Sequence, residues 1–294
     1  MRKSYIREKK IRCGDEYMAV GVYAVTDQEH RKRGKKRKES DKGQKSRNKA
    51  ASMREKQRKV LANFDKRGFF LTGTYEDCYL PDDEAACWKD VENYARRVKY
   101  ATCKRFGVEK EKIRLMLWAA RKGEAGRLHM HGFAQCVGMG EADRREWREM
   151  LEDLWRRRIP GTREFEPLGT MNVDRMDMKK LLGLSGEGKN GTLGYIYGHS
   201  WRRCLETRNL ILPEEQRPND SRWSRKQLHK GCTDCADCAY WWEQRYPGWE
   251  CVKVMIYDPG QLHESEDARP GGWEATEPQA YLILRRRGFA KACT

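Results

Sequence analysis

The chain has few of the features by which membrane and secreted proteins are recognised. None of its apolar runs approaches the roughly 20 residues that a helix needs to cross a bilayer, which excludes a membrane-spanning protein. The polar and basic residues that follow Met1 do not include the apolar segment of a signal peptide, so we expect a cytoplasmic protein of a bacterial host cell. In that compartment the 11 cysteines, an odd number, are expected to be thiols or metal ligands rather than disulfides.

Histidine is scarce, at six residues, whereas aromatic and basic residues are abundant. Ten Trp, 13 Tyr and seven Phe are enough to build a core and exclude a fully disordered chain of 294 residues. The 61 Lys and Arg against 44 Asp and Glu give a formal net charge of +17. This charge predicts a polyanionic partner, with nucleic acid the first candidate and an anionic membrane the second.

Most of the positive charge lies between Arg31 and Val60. Fifteen Lys or Arg and three acids give this segment +12 of the chain's +17. Residues 31–38 have no apolar side chain and are expected to be disordered when free. The segment is interpreted either as a solvated linker or as a basic arm along DNA phosphates, and the arm would make binding steeply dependent on salt. Lys35, Lys36 and Arg37 are its candidate DNA contacts.

Strand-like and helix-like patterns alternate through the body of the chain, and the turns look like those of hairpins as often as those of crossovers. We therefore predict an α+β fold, with helices packed on a mainly antiparallel central sheet. The predicted strands cover 17–25, 68–75, 113–118, 128–137 and 168–173, and the predicted helices cover 51–63, 81–98, 141–158 and 192–201.

Composition divides the chain into three predicted parts. Residues 1–50 hold a strand segment and the basic arm, 51–212 form the main domain, and 213–294 form a Cys-rich region.

A pair of histidines stands out on the strand predicted at 128–137. His129 and His131 are two residues apart, so they project from one face, about 7 Å from each other. Two imidazoles in this arrangement can hold a divalent cation if a third ligand approaches from another element. Taken alone, the pattern is also common among surface or hydrogen-bonded histidines.

Three motifs along the chain together resemble those of the HUH endonucleases, the replication initiators and relaxases of rolling-circle systems. The first is a hydrophobic strand with paired threonines, Thr72 and Thr74. The second is the His-hydrophobic-His motif of His129 and His131, and the third is a helix that carries Tyr195. The resemblance covers residues 51–212 and implies an HUH nuclease fold that resembles an RNA-recognition module.

The resemblance also implies a chemistry. A Mg²⁺ or Mn²⁺ ion held by His129 and His131 would polarise the scissile phosphate. Tyr195 would attack that phosphate to give a 5′-phosphotyrosine and a free 3′-hydroxyl, and a later 3′-hydroxyl could rejoin the strand. Tyr197 is the second candidate nucleophile, and Glu124, the nearest acid, is the candidate third metal ligand.

Further site residues follow from the same resemblance. The family often has a lysine three residues after the tyrosine, and this position is Gly198 here. His199 or Arg202 is therefore expected to take part of that role. The candidate DNA contacts of the main domain are Thr72, Thr74, Arg127, His199 and Arg202.

The expected function is initiation of rolling-circle replication in a phage or plasmid, by nicking single-stranded origin DNA. Residues 183–190 match only the first part of a phosphate-binding loop, so a host helicase and a host polymerase are the expected partners. Two alternatives stay open. One is a mobilisation relaxase or transposase with the same chemistry, and the other is a non-catalytic, zinc-stabilised protein that binds nucleic acid.

A second cluster of metal-ligating residue types lies near the end of the chain. Cys232, Cys235 and Cys238 follow His229 at intervals of three, and Cys251 comes later. This spacing is typical of structural zinc or of iron–sulfur sites, although unligated thiols fit it too. The aromatic residues at 240–249 are expected to form a small core or a platform on which bases stack.

Overall fold

The computed structural model describes residues 4–26, 42–121, 126–184, 191–199, 204–235, 238–257, 262–263, 273–274 and 278–288. Its helices are α1 (Lys42–Asn63), α2 (Glu84–Phe106), α3 (Glu141–Asp153), α4 (Met178–Leu182), α5 (Gly191–His199), α6 (Arg225–Thr233) and α7 (Ala239–Glu243). Its strands are β1 (Ser4–Cys13), β2 (Tyr17–Thr26), β3 (Phe69–Thr74), β4 (Ile113–Arg121), β5 (Leu128–Cys136), β6 (Arg156–Arg158), β7 (Phe165–Pro167), β8 (Met171–Arg175), β9 (Leu205–Glu206), β10 (Glu214–Glu215), β11 (Trp249–Tyr257), β12 (Leu262–His263), β13 (Trp273–Glu274) and β14 (Gln279–Arg286).

The predicted α+β class with mainly antiparallel sheets is confirmed, because neighbouring strands in both five-stranded sheets run antiparallel. None of the helices in the described ranges combines the length and the apolar character needed to cross a membrane. The chain divides into two compact units, one of which is continuous in sequence while the other is not.

The discontinuous unit combines the two ends of the chain, 1–63 and 211–293. Its sheet has the order β10-β1-β2-β14-β11. One face of the sheet carries a tryptophan-rich core that includes α6 and α7. Helix α1 contacts β1 and β2, and its Arg54 guanidinium lies over the rings of Tyr257 and Tyr281.

The continuous unit, Phe64–Leu210, contains the sheet β8-β3-β5-β4-β9. Strand β3 buries alternate residues, as a strand with one face in a core should. Its Leu71 side, together with neighbours on β4 and β5, forms a core with α2 and α3. Thr72 and Thr74 point to the other side of the strand, as predicted, and His131 lies beside Thr72 on that side.

The residues in and next to helix α2 account for its start, its buried face and its end. Asp83 precedes it in extended conformation, and its carboxylate accepts a hydrogen bond from the Ala86 amide at 2.7 Å. Val91, Tyr94 and Val98 then recur at helical spacing and are fully buried. Gly107 ends the helix with φ +64°, a conformation that suits glycine.

Helix α3 ends five residues earlier than predicted, at Asp153 rather than Arg158. The apolar stripe misled the prediction because Trp155 is buried by tertiary contacts outside the helix. Its indole Nε1 donates to the Thr74 carbonyl at 2.8 Å, and its ring contacts those of Tyr75 and Tyr94. The chain then turns into the short β6–β7 hairpin.

The observed units differ from the predicted three parts at the start of the main domain, which lies at Phe64 rather than at residue 51, whereas its end at Leu210 agrees with the predicted 212. The C-terminal region is not separate from the N-terminal strands, because β14 lies between β2 and β11 in one hydrogen-bonded sheet. Helix α1 begins at Lys42, inside the segment predicted to be an arm, and belongs to the same unit. Of the aromatic residues at 240–249, Trp242 and Tyr246 are buried in that unit's core, Trp241 and Trp249 pack against it, and Tyr240 is exposed.

Candidate functional site

The histidine pair lies on β5, the middle strand of the continuous unit's sheet. β3 pairs with one edge of β5 and β4 with the other, so Thr72 and Trp118 are the direct neighbours of His131. His129 is flanked by Thr74 and Ala120. The rings of the two histidines meet edge to face with centroids 4.7 Å apart, which confirms that they share one face.

The orientation of His129 is set by the backbone. Its Nδ1 lies 2.9 Å from the Arg127 carbonyl oxygen, and a carbonyl can only accept a hydrogen bond. Nδ1 is therefore the donor, and in the neutral tautomer with this hydrogen bond the lone pair is on Nε2. A neutral imidazole held in this tautomer by a carbonyl is the arrangement in which histidine binds a metal.

The second histidine is held more tightly. His131 is only 2% exposed, and its Nδ1 lies 3.2 Å from the Thr72 hydroxyl. The Phe70 ring stacks on it with centroids 5.7 Å apart and an interplanar angle of 15°. The resemblance gave Thr72 as a candidate DNA contact, but it did not identify Phe70 as the residue that stacks on the imidazole.

The candidate nucleophile lies against the same imidazole. Helix α5 carries Tyr195 to the histidine-bearing face, where its ring meets that of His131 edge to face at 5.2 Å between centroids. Leu193 and Ile196, on the buried side of α5, are fully covered. Tyr195 itself is 51% exposed, so a substrate can approach it. The structure thus brings together the paired threonines, the two histidines and the tyrosine of the three sequence motifs.

Other predicted site residues are described only in part or not at all. The backbones of Tyr197 and His199 belong to α5, but their side chains lie outside the described part of the structure. Glu124, Arg202 and the basic-arm residues Lys35, Lys36 and Arg37 also lie outside it.

Arg127 sits immediately before β5, close to the site. One of its guanidinium nitrogens donates to the Tyr75 carbonyl at 2.7 Å, and another pairs with Asp77. Its side chain keeps 47% of its surface exposed. These contacts tie the start of β5 to the end of β3 and leave part of the guanidinium open to solvent.

The histidine pair fits the imidazole portion of a divalent-cation site. Both imidazoles lie on one face with their rings in contact, and the contact of His129 Nδ1 with a carbonyl directs its Nε2 to the metal-binding role. Among the described residues, no group of three or more His, Cys, Asp and Glu side chains could hold a metal ion. Glu124, the predicted third ligand, is not among those residues.

The four cysteines predicted as zinc ligands differ in their surroundings. Cys232 and Cys251 are buried, Cys235 is half-buried and Cys238 is exposed. The Cys251 thiol donates to the Lys253 carbonyl at 3.8 Å, and burial raises its pKa to about 12. A zinc ion at these cysteines stays a prediction.

Comparison with known proteins adds no family assignment. No protein-family model, curated protein or solved structure matches the chain.

Proposed function

We propose that the protein is a metal-dependent endonuclease and strand transferase of single-stranded DNA, of the HUH type, and that it initiates rolling-circle replication. The observation that carries the proposal is the edge-to-face contact of the Tyr195 and His131 rings, with His129 beside them on the same face. Three motifs that are far apart in the sequence meet at this point, and a half-exposed phenol lies next to a buried imidazole.

The side chains can be assigned roles in this reaction. The Tyr195 Oη attacks the phosphorus of the scissile phosphodiester, the bond to the 3′-oxygen breaks, and the 5′-phosphate becomes attached to the tyrosine. The phenol loses its proton and the leaving 3′-oxygen gains one. The phosphotyrosine ester keeps the energy of the broken bond, so attack by another 3′-hydroxyl releases Tyr195 and rejoins a strand.

His129 and His131 would hold Mg²⁺ or Mn²⁺, which supplies positive charge next to the phosphate oxygens when it is bound. The Arg127 carbonyl and the Thr72 hydroxyl keep the two rings oriented for that task. Phe70 and the strand pairs around β5 make the face rigid, so that little reorganisation is needed at the moment of reaction.

The biological setting is part of the proposal. A chain with a net charge of +17 is suited to a nucleic-acid partner, and the proposed chemistry makes that partner a single-stranded origin. A host helicase and a host polymerase in the bacterial cytoplasm would act with it. A mobilisation relaxase or transposase would use the same residues, and the sequence of the cleaved strand would tell these settings apart.

The test is incubation of the full chain with a pool of single-stranded DNA and Mn²⁺, followed by mass spectrometry for a nucleotidylated tyrosine. Tyr195→Phe should lower adduct formation and cleavage by about a thousand-fold or more, because the ring remains but the nucleophilic oxygen is lost. Binding of DNA should be nearly unchanged.

Tyr100→Phe is the matched control, since Tyr100 is a 67% exposed tyrosine on α2, the helix in the core on the other side of the sheet. It should form the adduct at the normal rate. Recovery of a covalent adduct from Tyr195→Phe would show that another residue is the nucleophile, and the lack of any adduct with the unaltered protein would remove the proposal.

A further inference from the structure

A second concave site lies in the discontinuous unit, and the nuclease proposal makes no use of it. Its cavity volume is about 310 Å³, and four cations line it: Lys10, Arg12, Arg222 and Arg245. Lys10 and Arg12 are two residues apart on β1 and therefore share one face of the strand.

The positive charge in this pocket is only partly neutralised. The buried carboxylate of Glu8 accepts hydrogen bonds from Trp223 Nε1 at 3.1 Å and from the Tyr246 hydroxyl at 2.8 Å. The same carboxylate forms ion pairs with Lys10 at 3.3 Å and with Arg222 at 3.4 Å. The Glu8 carboxylate is thus the ion-pair partner of two of the four cations, Lys10 and Arg222.

The other two cations have no acidic partner within the described ranges. Arg245 donates to the Trp241 carbonyl at 2.6 Å, and burial lowers the pKa of its guanidinium. Glu214 lies opposite Arg12 across the β1–β10 pair but is exposed and forms no ion pair with it. Two uncompensated guanidinium groups in a concave surface make a site for an anion.

Aromatic rings form the remaining wall. Tyr246 is buried, and the Arg222 guanidinium and the Lys10 ammonium lie over its ring at 4.9 and 5.4 Å from the centroid. Trp249 lines the same pocket and is only half-buried. Cations beside an accessible indole are the combination that holds a phosphate together with the base next to it.

We propose that this basic–aromatic pocket, formed by Lys10, Arg12, Arg222, Arg245, Tyr246 and Trp249, binds a phosphate of single-stranded nucleic acid with an adjoining base against Trp249. A single strand is favoured over a duplex because only an unpaired base can turn its face to an aromatic ring. The pocket would bind nucleic acid but catalyse no reaction, so its binding does not depend on whether Tyr195 is a nucleophile.

The test measures binding of fluorescein-labelled oligo-dT to the full chain by anisotropy at several salt concentrations in the presence of EDTA. Arg12→Gln should weaken binding and reduce the slope of log K against log salt by about 0.7, the value for one phosphate contact with a single strand. Trp249→Ala should weaken binding by about five-fold or more through loss of stacking. Ultraviolet crosslinking of bromouracil-substituted oligo-dT should label a peptide that contains Trp249.

Lys226→Gln is the matched control, because Lys226 is an exposed cation on α6 that does not line the pocket. It should leave the slope unchanged. The assay contains EDTA and measures binding alone, so failure of the nuclease proposal and failure of this one can be told apart. The proposal is overturned if Arg12→Gln behaves like Lys226→Gln, if duplex DNA binds as tightly through the pocket, or if Arg12→Gln reduces binding to phosphatidylglycerol vesicles alone.

Discussion

The threonine beside the histidine pair has a role that its position in the motif does not reveal. Thr72 is the direct neighbour of His131 on β3, and its hydroxyl lies 3.2 Å from the imidazole Nδ1. This contact restricts the ring's rotation about the Cβ–Cγ bond, and Phe70 stacks on the face of the ring. Groups that orient a metal-binding imidazole commonly change metal affinity by 10- to 100-fold.

Thr72→Val should therefore weaken Mn²⁺ binding and lower Mn²⁺-dependent cleavage by about ten-fold. Valine has nearly the same shape and is favoured in strands, so the sheet should be preserved. Calorimetric titration with Mn²⁺ gives the affinity, and the nitrogen chemical shifts of the His131 ring give its tautomer.

Thr72→Ser should restore both measurements, since serine returns the hydroxyl. A purely structural role for Thr72 would leave the tautomer of His131 unchanged in the valine variant. Unaltered Mn²⁺ affinity together with an unaltered tautomer would contradict a positioning role.

At the scale of elements, sequence patterns predicted those parts of the fold that depend on local periodicity. β3 was expected at 68–75 and lies at Phe69–Thr74, and β5 was expected at 128–137 and lies at Leu128–Cys136. Strand alternation also predicted that Thr72 and Thr74 share one face of their strand and that His129 and His131 share one face of theirs. Each of these features follows from the two-residue period of side chains along a strand that has one face buried.

Features that depend on distant contacts were not predictable in the same way. β14 pairs with β2, with Leu282 opposite Val20 for example. The local sequence of neither strand identifies the other as its partner. The contact of Tyr195 with His131 is of the same kind, because it depends on the packing of α5 against α4 and β4. The resemblance to a known motif order, not periodicity, pointed to that contact.

Gly132 shows how tightly β5 is built into its sheet. It lies between His131 and Phe133, and a Cβ atom there would stand 2.3 Å from Leu117 Cδ2 and 2.8 Å from the Met116 carbonyl oxygen. Gly132→Ala should lower the free energy of unfolding by about 1–3 kcal/mol, because β4 and β5 would have to move apart. Chemical denaturation measures the loss.

Gly21→Ala, in the middle of β2, is the comparison, since its nearest neighbour would be Tyr23 Cε1 at 3.5 Å, an ordinary contact distance. It should be close to neutral. Equal stability of the two variants would show that β4 can shift at little cost and that β5 is held less firmly than the contacts indicate.

At the scale of the whole molecule, the continuous and discontinuous units differ in how the chain builds them. Every strand of the sheet that carries His129 and His131 comes from Phe64–Leu210. The other sheet needs both ends of the chain, because β1 and β2 lie between β10 and β14. Its Glu8 carboxylate likewise bonds to Trp223 and Tyr246, from the far end of the sequence.

The fragment 64–210 should therefore fold alone, with a single cooperative thermal transition by circular dichroism and dispersed amide signals by NMR. A fragment 211–294 should not, because β14 would have no β2 to pair with and the tryptophan-rich core would lose the residues that β1 and β2 contribute. Supplying residues 1–63 as a separate chain should restore a cooperative transition to 211–294.

The same pair of fragments separates catalysis from binding. Fragment 64–210 contains His129, His131 and Tyr195, so it should cleave saturating single-stranded DNA at a normal rate. It lacks both the +12 segment at 31–60 and the basic–aromatic pocket, so its KM should rise and its salt dependence should flatten. A fragment that is folded yet binds DNA as tightly as the full chain would place the main phosphate contacts on the nuclease unit instead.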